Sequence, residues 1–343
     1  MIMNNYLVIF TGGTIGSSVI NGVISPHESA AMDLIEEYER DYGNGQKFTC
    51  IAPFTILSEN ITSAELSKLC RVIDENNEKG YKGIIITYGS DTLSYAAAFL
   101  GTAFKGMLKC PVVFAAANKP LSDPESNGHD NFAGAVWLID HISASGSCND
   151  VYAVWHSGGL FGAYRGVELT EADSGSHDHG VFGGIPFAEF YPDRPNATGT
   201  GYKWRVVMND RHENRCESSL TPSKLEYFKD TGYRLSGDII AVRAYPGIQF
   251  NRILLAHARA VLVYGFHSGT FPAVGEGGNF HVFARNLKDL GIRLYAASFK
   301  KDELVIYESV RELESGIIRL EDMSFEAAYA NVLISEACIT DLA

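Results

Sequence analysis

Three loops of this sequence carry hydroxyl groups at places where an alcohol nucleophile could act. One is TGGTIG, which follows the apolar run YLVIF and contains Thr14. Glycines beside a threonine can expose its hydroxyl at the carboxyl end of a sheet, which is the edge where open α/β folds bind ligands. A threonine hydroxyl is a weak nucleophile unless a base or a polar relay activates it, so this interpretation requires partners elsewhere in the chain.

Two other interpretations of the first loop stay open from its residues alone. A phosphate cradle needs glycines directly ahead of a helix. Gly12, Gly13 and Gly16 do not form GxGxxG, and no lysine follows as in a Walker A loop. The later Asn21-Gly22 pair predicts a turn rather than a helix. The glycines could also do no more than form a tight turn.

A second loop offers a hydroxyl and a carboxylate at the end of another apolar run. Ser90, Asp91 and Thr92 follow GIIITYG and precede a predicted helix. Ser90 or Asp91 could simply cap that helix, because both residue types favour the position. Capping explains one of these residues but not their pairing with a glycine-rich threonine loop.

The third loop, LSENITS, offers Ser58 and Glu59 after another apolar run. Its alternative interpretation is again a helix start. Thr62 and Glu65 have the spacing of a capping box, in which each side chain bonds to the other residue's backbone N–H.

Alternation of apolar runs with amphipathic segments predicts the elements that position these loops. The predicted strands are YLVIF (6–10), FTILS (54–58), GIIITYG (83–89), CPVVFAAA (110–117) and VYAVWH (151–156). Between them AAMDLIEEYERDYG, TSAELSKLCRVIDENNEKG and DTLSYAAAFLGTAFKG show helical spacing. Strands this apolar that alternate with helices indicate a parallel sheet in an α/β fold.

Composition predicts two domains in the 343 residues. A polar, turn-rich stretch at 191–235 is the predicted linker between an amino-terminal domain at 1–190 and a carboxyl-terminal domain at 236–343. The second domain is again predicted to alternate strands and helices.

Charge and hydropathy exclude several partners. The formal net charge is −13 without a basic cluster, so we expect no nucleic-acid partner. No apolar run reaches the roughly 20 residues of a membrane span, and no signal peptide is evident, so we expect a cytoplasmic protein. His177 and His179 could ligate a metal, but no third ligand is predictable, and we expect neither metal nor cofactor.

These motifs together resemble the bacterial-type L-asparaginase family of type I and type II asparaginases and glutaminase-asparaginases. TGGTIG matches the first signature of that family, and TYGSDTLSYAA resembles the second. CPVVFAAANKPLSDPESNGHDNFAGAV, AYPGIQ, YGFHSGTFP and EDMSFEAAYANVLIS resemble further family segments, so the resemblance runs nearly end to end.

The resemblance implies a fold, an assembly and an activity. It implies a flavodoxin-like amino-terminal domain with a smaller α/β carboxyl-terminal domain, in a homodimer or homotetramer. The implied reaction is hydrolysis of an amino-acid side-chain amide, from asparagine to aspartate and ammonia. Thr14 would be the nucleophile, Ser90 would replace the second-signature threonine, Asp91 would hold the substrate ammonium and Ser58 would bind its carboxylate. The substrate would also contact the glycine-rich backbone, at Gly13 and Gly89.

The sequence departs from the family pattern at several of these places. The family has a relay lysine, but residues 151–190 contain none, and the aligned position falls near Glu168, a carboxylate that could act only as a base. Glu59 stands where type II members have glutamine, Tyr88 where histidine is usual and Thr270 where asparagine is usual.

Two functions therefore follow from the sequence. The first is an L-asparaginase-type amidohydrolase acting through Thr14. The alternative is a family member with an altered relay that binds a small amino-acid-like ligand or hydrolyses a different amide. A glutamyl-tRNA amidotransferase component is disfavoured by the acidic balance and by the lack of an amino-terminal extension.

Overall fold

The structure is a computed structural model of the 343-residue chain. It describes residues 5–20, 22–26, 28–43, 45–146, 149–172, 182–193, 203–208, 220–235, 237–301, 307–311 and 316–340. Within these residues no helix is both long enough and apolar enough to cross a membrane. Backbone contacts divide the chain into two units, Met1–Glu213 and Asn214–Ala343.

The first unit is an eight-stranded sheet with helices. Its strands are β1 (Asn5–Phe10), β2 (Ser17–Ile20), β3 (Val23–Pro26), β4 (Lys47–Ile51), β5 (Gly83–Thr87), β6 (Val112–Ala115), β7 (Val151–Ser157), β8 (Leu160–Arg165), β9 (Thr170–Ala172), β10 (Phe182–Gly183), β11 (Ala188–Asp193) and β12 (Lys203–Met208). Its helices are α1 (Glu28–Asp41), α2 (Ser63–Asn77), α3 (Leu93–Ala103) and α4 (Gly128–Ser145).

The main sheet has the order β12-β11-β8-β7-β6-β5-β1-β4. β4, β1, β5, β6 and β7 are parallel, and β8, β11 and β12 continue the sheet antiparallel. If these five parallel strands are renumbered 1 to 5 in chain order, they lie in the sheet in the order 2-1-3-4-5, which is the flavodoxin-like order. The predicted α/β class and parallel sheet are therefore confirmed.

Helices cover both faces of this sheet. Tyr6, Val8 and Phe10 on β1 share an apolar cluster with residues of α1 and α4. Leu7 and Ile9 alternate with them on the other face and are also buried. Burial on both faces is the physical reason that the strand reads as a continuous apolar run.

One predicted strand of this unit requires correction. FTILS at 54–58 is not a strand: only Ile56 forms an isolated bridge, with Gly12, and the strand of this region is β4. The predicted linker at 191–235 contains part of β11 and all of β12, which extend the main sheet. The division between the units lies inside that predicted linker.

The smaller hairpin and the helix starts follow the sequence signals. β2 and β3 pair antiparallel, and the chain reverses between Ile20 and Val23, as a turn at this place requires. α2 begins with the expected capping box, in which Thr62 and Glu65 bond to each other's backbone N–H.

The second unit has its own four-stranded parallel sheet, in the order β13-β14-β15-β16. Its elements are α5 (Pro222–Asp230), β13 (Ile239–Arg243), β14 (Ala260–Tyr264), α6 (Phe280–Asp289), β15 (Arg293–Phe299), α7 (Glu308–Arg311), β16 (Ile318–Glu321) and α8 (Phe325–Thr340). α8 is buried along most of its length and contacts β13, β14, β15 and α5.

Candidate active site

Three loops converge at the carboxyl edge of the first unit's parallel strands. Each contains a short 3₁₀ turn: Thr14–Gly16 after β1, Ser58–Asn60 after the Ile56 bridge, and Ser90–Thr92 after β5. β1 and β5 are neighbours at the switch point of the strand order, where open α/β sheets form their binding crevice. The three loops that the sequence singles out are therefore brought together.

Glycine is required where the first loop meets the other two. Gly12 has φ +101°, and a Cβ there would lie 2.4 Å from the carbonyl oxygen of Ile56. Gly13 has φ +70°, and its Cβ would lie 2.3 Å from the amide nitrogen of Gly89. Real side chains do not make such contacts with backbone atoms. Because Gly13 lacks a Cβ atom, its backbone can contact the backbone of Gly89. Thr14 directly follows Gly13 in the chain and Ser90 directly follows Gly89, so this contact brings the two residues near each other.

The third loop is tied to the second by its serine. Ser58 is buried, and its hydroxyl donates to Asp91 Oδ2 at 3.2 Å. The Thr92 hydroxyl donates to the carbonyl of Ser58 at 2.9 Å. A Cβ on Gly89 would lie 2.3 Å from Ser58 Oγ, so this glycine also permits a close approach.

The side chains of Thr14 and Ser90 are partly exposed, and their hydroxyls lack hydrogen bonds within the described part of the chain. Hydrogen bonds from the residues on either side hold the Thr14 turn in place. Thr11 donates to the carbonyl of Thr87 at 2.7 Å, and Ser17 donates to the carbonyl of Gly13 at 2.6 Å. These hydrogen bonds hold the backbone on either side of the turn, and the side chain of Thr14 is partly exposed.

Two carboxylates lie at the mouth of this cluster. Asp91 and Glu59 are both exposed, and neither forms a salt bridge with any described residue. Asp91 is held by Ser58, whereas Glu59, in the same turn as Ser58, accepts no hydrogen bond from the side chains that the structure describes. A carboxylate that lacks an ion-pair partner can receive a cationic group such as a substrate ammonium.

Glu168, the predicted base, lies in a short 3₁₀ turn, Gly166–Glu168, that directly follows β8. Its turn packs on the second half of α3: a Cβ on Gly166 would lie 2.6 Å from Ala97 O, and a Cβ on Gly101 would lie 2.9 Å from Val167 Cγ1. Ala97 and Gly101 are on the order of 10–16 Å along the helix from Ser90.

The charge of Glu168 acts on Asp150, the residue before β7. Asp150 directly precedes β7, at the amino ends of the parallel strands. Burial raises the pKa of Asp150 and the charge of Glu168 adds to the rise, while the Val151 amide, Arg165 and Lys105 oppose it. Arg165 lies over the ring of Phe187 at 5.8 Å.

The segment that contacts the Ser90 turn is β9, which begins two residues after Glu168. β9 carries Glu171, an exposed carboxylate that the sequence pattern does not single out. Spacing along the chain does not distinguish these two glutamates as candidates for the relay position. His177 and His179 lie outside the described residues.

The structure also shows the surroundings of Tyr88 and Thr270, two further residues that depart from the family pattern. Tyr88 is buried between β5 and Gly89, with its ring edge-to-face on Phe114 at 5.4 Å, and burial raises its pKa. Thr270 lies in the second unit after β14, where its hydroxyl pairs with that of Ser268 at 3.2 Å.

Comparison with known proteins identifies the family. The family model "Asparaginase, N-terminal" matches residues 5–178, which is half of the chain and includes all three loops. This protein belongs to the asparaginase family. Its amino-terminal unit therefore carries the fold of a family of amidohydrolases.

Curated relatives of this asparaginase-family protein extend over nearly the whole chain. One component of the glutamyl-tRNA(Gln) amidotransferase from Methanobrevibacter smithii is 35% identical over 96% of this chain and 71% of its own length. The corresponding component from Aeropyrum pernix is 26% identical over 95% of this chain and 73% of its own. The sequence argument disfavours an amidotransferase component, whereas these relatives are of that kind.

Solved structures confirm the two-domain asparaginase fold. The thermostable L-asparaginase from Thermococcus kodakarensis superposes with a TM-score of 0.68 at 21% identity, covering 97% of this chain and 93% of that one. L-asparaginase I from Vibrio cholerae gives 0.66 at 20% identity, covering 97% and 92%.

Proposed function

We propose that this asparaginase-family protein hydrolyses the side-chain amide of an amino acid, with Thr14 as nucleophile. The observation that carries the proposal is the Gly13–Gly89 backbone contact. It sets Thr14, a partly exposed residue, beside the Ser90 turn, at the switch point of the sheet.

The reaction divides into acylation and deacylation. Thr14 Oγ attacks the amide carbon, the hydroxyl proton goes to the leaving nitrogen, and ammonia departs from an ester on Thr14. Water then cleaves the ester, and its proton restores the threonine hydroxyl. Two easier steps replace one direct amide hydrolysis.

In this proposal, Asp91 at the mouth of the three-loop cluster and the amino end of α3 bind the substrate. Asp91 would hold the substrate ammonium through a charge-assisted hydrogen bond, while its bond from Ser58 fixes the carboxylate. The amino end of α3 follows the Ser90 turn, and the positive end of its dipole favours the negative charge that develops on the amide oxygen.

L-Asparagine is the proposed substrate, in agreement with the sequence resemblance. A second candidate is the glutamine amide, with the protein releasing ammonia as one component of an amidotransferase. The amidotransferase relatives support this candidate because they match nearly the whole chain. We further propose a cytoplasmic homo-oligomer in the first case and a hetero-oligomer in the second.

Ammonia release from L-asparagine and L-glutamine, measured in parallel, tests the proposal. We expect Thr14→Ala to lower kcat by about 10⁴-fold or more, because removing one of several catalytic groups that act together abolishes nearly all of their rate enhancement. Thr14→Ser keeps the hydroxyl and serves as the matched control, with activity well above that of the alanine variant.

The outcomes separate the alternatives. Activity that survives in Thr14→Ala contradicts the assigned nucleophile. No turnover of either amide, together with thermal stabilisation by L-asparagine or L-aspartate, identifies a family member that binds without hydrolysis.

A further inference from the structure

The two exposed carboxylates of the three-loop cluster, Asp91 and Glu59, lie on neighbouring turns. The Ser58–Asn60 turn contacts the Ser90–Thr92 turn, and Ser58 Oγ lies 3.2 Å from Asp91 Oδ2. Glu59 directly follows Ser58 in the first of these turns and is exposed. In the proposed reaction the substrate ammonium pairs with Asp91, so Glu59 is a second carboxylate that no cation among the described residues neutralises.

Ser58 adds hydrogen-bond acceptors, and no spare donor, to this part of the site. A serine hydroxyl has one proton to donate, and that of Ser58 is directed to Asp91. The carbonyl oxygen of Ser58 is an acceptor too, and it receives the hydroxyl of Thr92 at 2.9 Å. A substrate carboxylate is itself only an acceptor, so these oxygens do not bind it.

The cation on the next loop of the same sheet edge is already paired. The loop between β6 and α4 lies at this edge because β6 is parallel to β5. Its end is close to the Thr14 turn, since a Cβ on Gly128 would lie 3.4 Å from Ile15 Cγ1. Lys119 of this loop forms an ion pair with Glu125 and lies 3.7 Å from Asp123 Oδ2. The loop therefore takes up its own ammonium and adds further negative charge to the edge.

This distribution of charge acts on the α-carboxyl group of a substrate. The ammonium and the carboxyl group of an amino acid are bonded to the same carbon, so an ammonium on Asp91 brings the carboxyl group close to the Ser58 turn. A free α-carboxylate there meets Glu59 as a like charge, which disfavours binding. A peptide bond in its place carries no charge and offers an N–H to the acceptors of this turn.

We propose that Glu59 is a specificity-determining residue that favours amides with a free α-ammonium and an uncharged α-carboxyl group. An asparagine or glutamine residue at the amino end of a peptide is such a substrate. Glu59 repels the α-carboxylate of a free amino acid and accepts the N–H of the peptide bond that replaces it. Free L-asparagine is then still hydrolysed, but less efficiently. The inference rests on the proposed function, because it takes Asp91 as the ammonium site beside Thr14.

Hydrolysis of L-asparagine and of L-asparaginyl-glycine N-methylamide, compared at about pH 6.5, tests the proposal. Both substrates carry an ammonium there, since an α-amino group has a pKa of about 7.7–8.0. The peptide releases ammonia only from its side-chain amide, because its blocked end would release methylamine. We expect the wild type to have a roughly tenfold higher kcat/KM for the peptide. This preference should shrink as the ionic strength rises from about 0.01 M to about 1 M.

Glu59→Gln removes the repelling charge and keeps the size of the side chain. We expect it to raise kcat/KM for L-asparagine and to bring the ratio of the two substrates close to one. Glu75→Gln is the matched control, because it removes an equal charge from an exposed position on α2 that lies roughly 18 Å along the helix from Ser63. Its ratio should stay within about twofold of the wild type, since charges beyond a Debye length are screened.

Three results overturn the proposal: a wild type that prefers L-asparagine, a Glu59→Gln variant that keeps the preference for the peptide, or a Glu75→Gln variant that loses it equally. If neither substrate is hydrolysed, the proposed function fails, and titration calorimetry with the same two compounds decides the specificity separately. Tighter binding of the peptide by the wild type, lost in Glu59→Gln, supports the role of Glu59. Equal binding of the two compounds, or no binding of either, contradicts it.

Discussion

The two units place polar side chains differently at their parallel sheets. In the first unit, the hydroxyls of Thr14 and Ser90 lie at strand ends without partners among the described residues, on backbone that glycines bring into contact. In the second unit, Glu336 of α8 is buried, and Arg293 and Tyr295 of β15 both donate to it. Unpartnered accessible groups are available for chemistry, whereas mutually satisfied buried groups hold a helix on a sheet.

The two units also differ in whether their carboxylates form ion pairs with described residues. Asp91 and Glu59 in the first unit are exposed and lack salt bridges with described residues. Glu326 in the second unit is fully buried and receives Arg243 Nη2 at 3.2 Å. Substitutions in the first set should therefore change turnover more than stability, and those in the second should change stability.

Among the substitutions that compare the two units, Gly13→Ala has the largest expected effect. Its Cβ would meet the backbone of Gly89 at a φ of +70°, so both stability and site geometry should suffer. We expect a loss of roughly 2–4 kcal/mol in the free energy of unfolding and of about 100-fold in kcat/KM.

Gly16→Ala is the matched control in the same loop, because a Cβ there meets nothing within 4 Å and its φ is not positive. Denaturant unfolding and ammonia release measure both variants. Equal behaviour of the two glycine variants would contradict the assigned role of the backbone contact.

Arg293→Met should have the next largest effect, on stability alone. It leaves Glu336 buried without its cation, at a cost of about 3 kcal/mol or more. Glu336→Gln should cost less, since it removes the buried charge and leaves Arg293, which is about one-third exposed, in contact with solvent. Chemical denaturation at pH 7 compares them, and a larger loss for Glu336→Gln would refute this order.

The smallest expected effect is at the capping box of α2. Thr62→Ala should cost about 1 kcal/mol at pH 7 without changing turnover. Hydrogen bonds from the Thr62 side chain and backbone lower the pKa of Glu65. This part of the stability is therefore present above the ordinary range of a glutamate and is lost as the pH falls through the lowered pKa. Thermal melts at pH 7 and pH 3.5 should show the wild type and variant converging in acid.

Local pattern was enough to predict the elements that carry the site. β1 and β5 are buried on both faces, so their sequences are uninterrupted apolar runs, and the glycine-rich loops after them stand out. The capping residues Thr62 and Glu65 indicated the start of α2 directly, because their bonds depend only on spacing along the chain.

Features that depend on distant contacts could not be predicted. FTILS is apolar but irregular, because the chain there bends to bring Ser58 against Gly89. The edge strand β4 has no fully buried residue, so its apolar signal in the sequence is weaker. The position of Glu168 follows from the packing of its turn on α3, which no local pattern encodes.

The most direct test of the central claim is capture of the acyl-enzyme. After L-asparagine or L-glutamine is mixed with the protein and quenched in acid within milliseconds, peptide mapping by mass spectrometry locates any ester. We predict an acyl group on the peptide that contains Thr14, and its absence from Thr14→Ala. An acyl group on another residue, or rapid ammonia release without any acyl-protein, would contradict the account.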